Sequence, residues 1–467
     1  VAFGYSVDNI SPTAPTQMSA FSNENNVTLS WNYEAETDFQ YHQISSLDGI
    51  AYATENSHDF VLGALGNNEH WVNTVDTHGN ISENSQSLMS KGLHNGANLI
   101  SFNVLPEDNS IENVMASIEG NTTGVIGEGV AANYMEGIGW MGSLDEITSC
   151  GAYWLIVNEE DILLVTGYPT DRTIPCELHA GNNLIGYPYR YPTPIEEALP
   201  EGIGCDISGI IGEGVAALCN ESGWAGSLSS LEGSYGYWFI AEVDMEITFN
   251  GCDEQECASL SRQSQNLSTN PEGYEFAQST EQAFYFIEDI ENIELGDIVS
   301  SYCNDTKVGS RVWNGSYTDI PAMGNDNSDL TKDYCTSSSV PSFRVEKPSG
   351  ETYALTGDIP LWESNGLHML STLQEAIIFP ESYSLAAAYP NPFNPSTTID
   401  FGIPVNGDMN LSIYDINGRL VEVIHNGFIK AGYHSRVWNG FNHSSGVYII
   451  RMSSVGFNET QKIVLIK

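Results

Sequence analysis

Basic residues are scarce in this chain: its 467 residues include 15 Lys and Arg against 61 Asp and Glu, and the formal net charge is −46. A surface of that sign repels nucleic acid and anionic membranes and favours cations and basic partners. Long hydrophobic runs are missing too, because none reaches the roughly 18 residues that a membrane-spanning helix needs. The sequence therefore predicts no nucleic-acid partner and no transmembrane segment.

Sequence motifs for catalysis are also missing. The ten histidines form no HExxH pair, and the chain has no GxSxG stretch and no phosphate-binding P-loop. A Ser-His-Asp triad stays open, because its members meet in space and not in sequence. No serine stands in a recognisable nucleophile context, however. We expect a protein that is not an enzyme and has no cofactor other than the calcium considered below.

Disorder is the competing explanation for so acidic a chain. It is disfavoured because 41% of the residues are hydrophobic and 10% are aromatic, which is enough to build cores. The polar residues are mainly Asn, Ser, Thr and Gly, as in loop-rich β proteins. Short alternating runs separated by turn residues predict an all-β chain, organised as a serial array of small β-sandwich and β-rich modules.

Eight cysteines are present, and none forms a CxxC, CxxCH or Cys/His zinc spacing. An even number in a chain with other signs of export indicates disulfides and an oxidising compartment. The sequence leaves their connectivity open, and our interpretation is sequential pairing: Cys150–Cys176, Cys205–Cys219, Cys252–Cys257 and Cys303–Cys335. The chain starts at Val1 without Met or a signal peptide, which we interpret as a processed, secreted form.

Residues 8–90 contain "SPTAPTQMSAFSNENNVTLSWNYEAETDFQYHQI" and later "HWVNTVDTHGNISENS". This segment resembles a fibronectin type III domain, and Trp31 follows the alternating "VTLSW" as the buried core tryptophan of that family does. The resemblance implies a seven-stranded sandwich that serves as a spacer or binding module.

An internal repeat follows, with copy one at residues 91–172 and copy two at residues 173–251. "HNGANLISF" recurs as "HAGNNLIGY" and "VIGEGVAA" as "IIGEGVAA", both at an offset of 85, while "GWMGSL" and "YWLI" recur as "GWAGSL" and "YWFI" at an offset of 84. The preserved order indicates a tandem duplication. Each copy has one short-helix candidate, capped by Ser110 in copy one and by Thr193, followed by Pro194 as the first helical residue, in copy two.

Two motifs of the repeat have both a functional and a structural interpretation. "GIGWMG", at residues 137–142, matches GxGxxG by letter, but copy two keeps only "SGWAG", which favours a turn over a dinucleotide site. Glu128 and Glu213 are equivalent, and two carboxylates can serve a glycosidase. Because each copy supplies only one of them, we favour structural turns with outward carboxylates.

Four tryptophans of the repeat divide into two pairs. Trp154 and Trp238 lie in apolar strand-like runs, so we expect them in the core. Trp140 and Trp224 lie between glycines, and for these two we leave open contact with a partner, such as a glycan stacked on the indole face, and ordinary burial.

The polar stretch 252–273 predicts a linker, and residues 274–375 resemble a small β module of bacterial surface proteins. In this module "DIPAMGNDNSDLTKD" offers oxygen ligands of the kind that Ca²⁺ prefers. The candidate calcium ligands are Asp319, Asp326, Asp329 and Asp333. The EF-hand pattern is absent, so a solvated acidic loop is the alternative.

The last module, residues 380–467, contains "YPNPFNPSTTIDFGIP", "LSIYDINGRLVEVI", "AGYHSRVWNG", "SSGVYIIRM" and "KIVLIK". In that order these strings resemble the C-terminal sorting domain of type IX secretion substrates. The resemblance implies an immunoglobulin-like sandwich, recognition by the export machinery and a place outside the cell or on its outer surface. The three prolines Pro390, Pro392 and Pro395 lack a backbone donor, so we expect a stiff leading segment that cannot join a sheet.

The segment of residues 1–7, "VAFGYSV", places Val1, Phe3, Tyr5 and Val7 on one face of an extended strand. It lies outside the fibronectin-like module, and a free apolar strand is a liability unless it is buried. The segment either folds back on its own chain or adds to a sheet of a neighbouring molecule.

These patterns predict a secreted, non-enzymatic structural protein of the cell surface that assembles with itself into a filament, through strand addition or head-to-tail contacts. Two alternatives stay open: a glycan-binding adhesin that uses Trp140 and Trp224, and an accessory chain of a secreted hydrolase.

Overall fold

The computed structural model describes residues 9–23, 26–62, 67–84, 86–252, 271, 273–376, 380 and 382–467. Strands dominate these residues, and the two α-helices among them have four residues each. No helix in this part of the chain is long and apolar enough to cross a membrane. The all-β fold class is confirmed. The chain divides into two compact units, the first ending at Glu375 and the second running from Ala376 to Lys467.

A seven-stranded sandwich opens the first unit. Its strands are β1 (Thr16–Asn23), β2 (Asn26–Asn32), β3 (Phe39–Ser46), β4 (Gly49–Ala53), β5 (Ser57–Val61), β6 (Asn67–Asp76) and β7 (Ser87–Leu93). The order β1-β2-β5 forms one sheet, and β4-β3-β6-β7 begins the other. Trp31 is 3% exposed in the core, as expected of the fibronectin-like tryptophan.

Each copy of the repeat is built around a five-stranded antiparallel sheet. Copy one contains β8 (Gly96–Ser101), β9 (Val104–Leu105), α1 (Ile111–Val114), β10 (Thr122–Ile126), β11 (Ala131–Met135), β12 (Gly139–Gly142), β13 (Ala152–Val157) and β14 (Asp161–Pro169). Copy two contains β15 (Cys176–Leu178), β16 (Gly181–Gly186), β17 (Thr193–Pro194), α2 (Ile195–Ala198), β18 (Ile207–Ile211), β19 (Ala216–Asn220), β20 (Gly223–Gly226), β21 (Ser230–Leu231), β22 (Gly236–Ala241) and β23 (Met245–Ile247). The strand order is β8-β13-β10-β11-β12 in copy one and β16-β22-β18-β19-β20 in copy two, which is the same arrangement.

Both predicted helices are present, but only one cap is as expected. Ser110 precedes α1, and its side chain accepts a hydrogen bond from the Asn113 amide. Pro194 is the N-cap residue of α2 and not its first helical residue. The prediction that Thr193 caps this helix was wrong, because Thr193 pairs with Leu231 in a short ladder and its hydroxyl donates to the Tyr191 carbonyl.

The first sandwich and the repeat share one sheet. Strand β7 spans the boundary that the sequence placed between residues 90 and 91, and it pairs with β6 on one side and β14 on the other. On β6, the Glu69 carboxylate accepts hydrogen bonds from Arg190 Nε and Asn103 Nδ2, both at 2.6 Å. Glu69 and Arg190 are buried, and removing one partner of a buried ion pair is costly. This contact therefore fixes how the modules dock.

The module after the linker completes the first unit. Its strands are β24 (Gln282–Ile290), β25 (Ile298–Cys303), β26 (Thr306–Val312), β27 (Thr318–Met323), β28 (Ser342–Glu346), β29 (Thr352–Thr356) and β30 (Leu367–Glu375), in the order β26-β25-β28-β29-β30-β24-β27. Phe284 and Phe286 on β24 form one buried cluster with Ile211 and Ala216 of copy two. The Gln282 carboxamide donates to the Gly212 carbonyl at 3.0 Å. This module therefore packs on copy two over an apolar contact.

The second unit is an antiparallel sandwich. Its strands are β31 (Ser384–Leu385), β32 (Ser396–Ile403), β33 (Gly407–Asp415), β34 (Leu420–Ile429), β35 (Gly432–Asn439), β36 (Gly446–Ser454) and β37 (Phe457–Leu465). One sheet has the order β31-β32-β35 and the other β34-β33-β36-β37. Trp438, which is fully buried, lies in the core between them with Ile399 and Ile450.

Three of the four predicted disulfides join described residues: Cys150–Cys176, Cys205–Cys219 and Cys303–Cys335. Cys252 is disulfide-bonded as well, whereas Cys257 lies outside the described residues. The bridge between Cys150 and Cys176 joins copy one to copy two, so it adds a covalent link to the interface between the copies.

Replacing Cys150 and Cys176 together by serine should lower the free energy of unfolding of the first unit by about 3 kcal/mol, because the 26-residue loop is no longer closed in the unfolded chain. Urea unfolding under non-oxidising conditions measures this change. The matched control is the double replacement of Cys205 and Cys219, which lie within copy two. Only the first variant should lose amide-exchange protection at Ser101 and Gly186, which bond across the two copies. Equal protection in both variants would contradict the assignment.

Candidate functional site

The leading segment of the last module is part of its sandwich. Tyr389 and Thr398 exchange both backbone hydrogen bonds, at 3.0 and 2.9 Å, and the Phe393 amide donates to the Val464 carbonyl at 2.9 Å. The expectation that this segment cannot join a sheet was wrong. The amides of Tyr389, before the prolines, and Phe393, between them, make these bridges. Phe393, only 2% exposed, anchors the segment in the core.

The edges of the same sandwich present apolar side chains to solvent. Among the described residues, β34 pairs only with β33 and β35 only with β32, so each has a free edge. Their large apolar side chains are between 45% and 67% exposed: Leu420, Val423, Phe428, Tyr433 and Val437. Exposed apolar groups on free strand edges are typical of interaction surfaces. We call these five residues the sorting-domain edge, after the family that this module resembles in sequence.

Charge is distributed unevenly along the chain. Residues 376–467 contain six Lys and Arg and six Asp and Glu, so their formal charge is zero and the whole net charge of −46 belongs to residues 1–375. The sorting-domain edge therefore lies on the neutral part of the protein, where repulsion between like charges is weakest.

In the first unit, two carboxylates bracket the interface between the copies. Glu213 of copy two accepts a hydrogen bond from the Leu99 amide at 2.8 Å and meets His94 Nε2 at 2.6 Å, both in copy one. Glu128 of copy one makes the reciprocal contacts, with the Leu184 amide at 2.7 Å and His179 Nε2 at 2.6 Å. The two sets of contacts are related by an approximate twofold symmetry.

The interpretation of Glu128 and Glu213 as outward turn carboxylates was therefore wrong: each is bonded to the other copy. Each carboxylate meets one histidine and one backbone amide of that copy. Sequence analysis missed His94 and His179 as their partners. The signal was present, since the "HNG" and "HAG" motifs recur at the same offset of 85 as the "GEG" motif.

Backbone and apolar contacts follow the same symmetry. Ile100 bridges to Tyr235, and the equivalent residues Ile185 and Gly151 also form a bridge. A buried cluster fills the interface, with members from both copies: Ala97, Leu99, Ala152, Trp154 and Leu184, against which Ile156 and Trp238 pack. Trp154 and Trp238 thus lie in the interface between the copies.

The surroundings of Glu213 shift the pKa values of both partners. Burial lowers the pKa of His94, but the hydrogen bond and negative charge of Glu213 outweigh it, so the pKa of His94 is raised above its usual 6.5. Burial raises the pKa of Glu213, but His94 and the Leu99 amide outweigh it, so the pKa of Glu213 falls below 4.5. The charged pair is the favoured state.

Trp140 and Trp224 are both half-buried. Trp140 packs against the core of copy one and meets Tyr134 edge to face at 5.5 Å, while Trp224 packs against the core of copy two. Packing thus accounts for part of each indole, and contact with a glycan stays a prediction for the exposed remainder.

The four candidate calcium ligands do not converge. Asp319 is buried on β27, where its carboxylate accepts hydrogen bonds from Ser227 Oγ at 2.6 Å and Arg311 at 3.1 Å. Asp326 accepts hydrogen bonds from the Thr331 hydroxyl and the Ser328 amide of its own loop. Asp329 and Asp333 are exposed. Asp319 is therefore occupied by the contact between copy two and the following module.

One group of side chains in the described residues has the spacing of a metal site: Asp38, Asp76 and His78. The Asp76 carboxylate already accepts hydrogen bonds from the His78 and Asn80 amides, both at 2.8 Å, and from Asn80 Nδ2 at 2.7 Å. These bonds stabilise the turn after β6 and account for the buried carboxylate.

The predicted strand of residues 1–7, with Val1, Phe3, Tyr5 and Val7, lies outside the described residues, as does most of the linker at 252–273. Strand addition by this segment therefore stays a prediction.

Comparison with known proteins identifies the last module. Residues 387–467 match the secretion system C-terminal sorting domain, the sorting domain of type IX secretion. The protein is therefore secreted or displayed on the outer cell surface. No curated protein matches the chain.

Two solved structures are similar to the whole chain. The chicken CNTN1 FN1–FN3 domains are 9% identical, with 98% of this chain and 100% of that chain covered and a TM-score of 0.16. A tetra-tandem repeat from the extending region of a large adhesion protein is 10% identical, with 97% and 100% covered and a TM-score of 0.15. At these scores neither likeness supports a functional argument.

The Glu213–His94 pair predicts how stability depends on pH. The contribution of His94, whose folded pKa is raised, is complete below about pH 6.5 and is lost as the pH rises through the folded value. The contribution of Glu213, whose folded pKa is lowered, is lost as the pH falls below about 4.5. Stability of the first unit should therefore fall on both sides of this window.

Glu213→Gln should cost about 1–3 kcal/mol near pH 6 and flatten this profile, since a half-buried, charge-assisted contact is removed. Urea unfolding at several pH values measures both effects. Glu128→Gln is the matched control. Its partner His179 is 59% exposed, so its effect should be smaller. A steep profile retained in Glu213→Gln would rule out this pair as its source.

Proposed function

We propose that this protein is a non-enzymatic structural protein of the outer cell surface that assembles with itself into an extracellular filament. The observation that carries the proposal is the use of carboxylates at the contacts between modules of the first unit. Glu69, Glu213 and Asp319 each hold one module against another. Charged groups committed to such contacts support a scaffold, whereas an active site needs reactive groups free to meet a substrate.

The alternating apolar segment of residues 1–7 supports self-assembly. An extended strand with four apolar side chains on one face gains most by completing another sheet and core. A contact of this kind joins two different surfaces of identical subunits, and such contacts propagate into filaments unless they close into rings.

The net negative charge of residues 1–375 makes the proposed assembly depend on salt. Subunits whose residues 1–375 have a net charge of −46 repel each other strongly in dilute salt. Screening shortens the range of that repulsion from about 30 Å at 0.01 M to about 8 Å at physiological ionic strength. Assembly by short-range strand contacts should therefore require salt.

Deleting residues 1–8 should leave the protein monomeric, whereas the full chain forms polymers as sodium chloride is raised from 10 to about 150 mM. Light scattering and negative-stain images measure the difference. A deletion protein that polymerises like the full chain would contradict strand addition. A full chain that stays monomeric and gives a carbohydrate-array signal lost in Trp224→Ala would favour the adhesin instead.

The sorting-domain edge is, in this proposal, the surface that the export machinery contacts. Replacing Phe428 and Val437 together by serine should reduce the secreted fraction roughly tenfold, because two exposed anchors of the contact are lost. Immunoblots of medium and cells of a strain with type IX secretion measure this. The control is Val455→Ser, because Val455 is 84% exposed in the turn between β36 and β37. Equal export of both variants would refute the assignment.

A further inference from the structure

We infer that a groove between β4 and β5 of the first sandwich is the acceptor for residues 1–7 of a second copy of this chain. The inference rests on the proposed self-assembly and adds the site at which one subunit receives the strand of another.

The groove opens where the two sheets of the sandwich end. β4 pairs only with β3, and β5 only with β2, within the described residues, so both strands have a free edge. The cavity between them has a volume of about 230 Å³. Its lining is mixed: Ile44, Ile50, Ala51, Phe60 and Val61 are apolar, whereas Asp48, His58 and Asn68 are polar.

Small side chains create this space. Gly49, Ala51 and Ala53 are half-buried on β4, while the alternate residues Ile50 and Tyr52 are exposed. The inner face of this edge strand thus has no large side chain, and the core residue Ile44 lies directly behind the groove. The sandwich is underfilled on this side, which is the condition under which an incoming apolar side chain gains contacts.

A buried polar atom also points to an occupant. His70 lines the groove, is 3% exposed and stacks on Phe60 with the ring centroids 3.8 Å apart. Its Nδ1 atom is buried without a hydrogen-bond partner. Burial, with a smaller effect from His58, lowers the pKa of His70 to about 3, so the ring is neutral. An unmade hydrogen bond at a buried atom is costly, and a polar group of a docked strand would satisfy it.

Residues 1–7 fit this site in length and pattern. Seven extended residues span about 23 Å, and the five-residue strands β4 and β5 each span about 17 Å. Val1, Phe3, Tyr5 and Val7 would point inwards together, and Tyr5 supplies a hydroxyl for His70. Among the inward side chains of the segment, Tyr5 alone carries a polar group.

The position of the following residues favours a second copy as the donor. Thr13 is tied to Glu36 by hydrogen bonds of 2.7 and 3.1 Å, at the end of the sandwich where β3 begins. The groove reaches the opposite end, beside Ser46 and Val61. Thr13 is therefore held at the end of the sandwich away from the groove mouth.

A fluorescent peptide of residues 1–8 should bind the protein that lacks these residues, measured by anisotropy. Val61→Lys should weaken binding at least about tenfold, because the charge meets an apolar strand at the groove rim. Phe21→Lys is the control, since Phe21 is 70% exposed on β1 of the same sandwich. A peptide with Phe3→Asp and Tyr5→Asp should not bind. Circular dichroism checks that each variant folds, and histidine NMR should report a shifted His70 ring only on binding.

Excess peptide should also block polymerisation of the full chain, which tests the site without any deletion. If the peptide does not bind, or if Val61→Lys leaves its binding unchanged, the groove is not the acceptor site. This holds even where deleting residues 1–8 abolishes polymers, and the proposal of self-assembly then stands without this site. If the full chain binds the peptide but never polymerises, the groove stands as a binding site and the filament proposal is refuted. If the full chain is monomeric and binds the peptide only after residues 1–8 are deleted, the segment docks within its own chain. That result overturns the second copy as donor.

Discussion

Carboxylates bonded across module boundaries hold the first unit in one arrangement. Glu213 and Glu128 each accept two hydrogen bonds from the other copy of the repeat, and Glu69 accepts them from Arg190 and Asn103. A charged group removed from water is costly unless its partners are in place. Small displacements of one module would therefore leave a carboxylate unsatisfied. Apolar contact between the copies supplies most of the stabilisation, while these carboxylates select a single geometry from the many that apolar surfaces alone would allow.

The approximate symmetry of the repeat is broken at positions where the two copies contact different neighbours. Cys176 in copy two, bridged to Cys150, corresponds to Lys91 in copy one, whose ammonium lies 3.1 Å from the centre of the Tyr235 ring. Burial lowers the pKa of Lys91 to about 7, although the nearby Glu213 opposes the shift. One side of the interface between the copies is therefore joined by a disulfide, and the other by the contact of the Lys91 ammonium with the Tyr235 ring. The outer faces differ as well: Ile211 of copy two is fully buried by the next module, whereas its counterpart Ile126 is 37% exposed.

Local patterns in the sequence were sufficient for the strands, three disulfides and the sorting domain, because alternation, spacing and cysteine order are properties of neighbouring residues. The partners of Glu128 and Glu213 could not be predicted in that way, because each histidine lies in the other copy and only docking brings it near. Asp319 was assigned to a calcium loop from its neighbours in sequence. Its burial against Ser227 depends on strand β27 packing on copy two. The prediction that the leading prolines keep their segment out of a sheet was wrong for a related reason. The amides of Tyr389 and Phe393 make the backbone contacts that the prolines cannot make.

The division of charge separates an acidic part of the chain from a neutral sorting domain. Every excess negative charge lies on residues 1–375, which keeps the exposed body soluble and repels other copies at long range. The sorting domain has balanced charge and free strand edges with apolar side chains, so it suits contact with another protein. A strongly acidic sorting domain would add desolvation and repulsion to that contact. Neutrality at one end of an acidic chain therefore suits recognition during export, while residues 1–375 keep the long-range repulsion that salt must screen before subunits assemble.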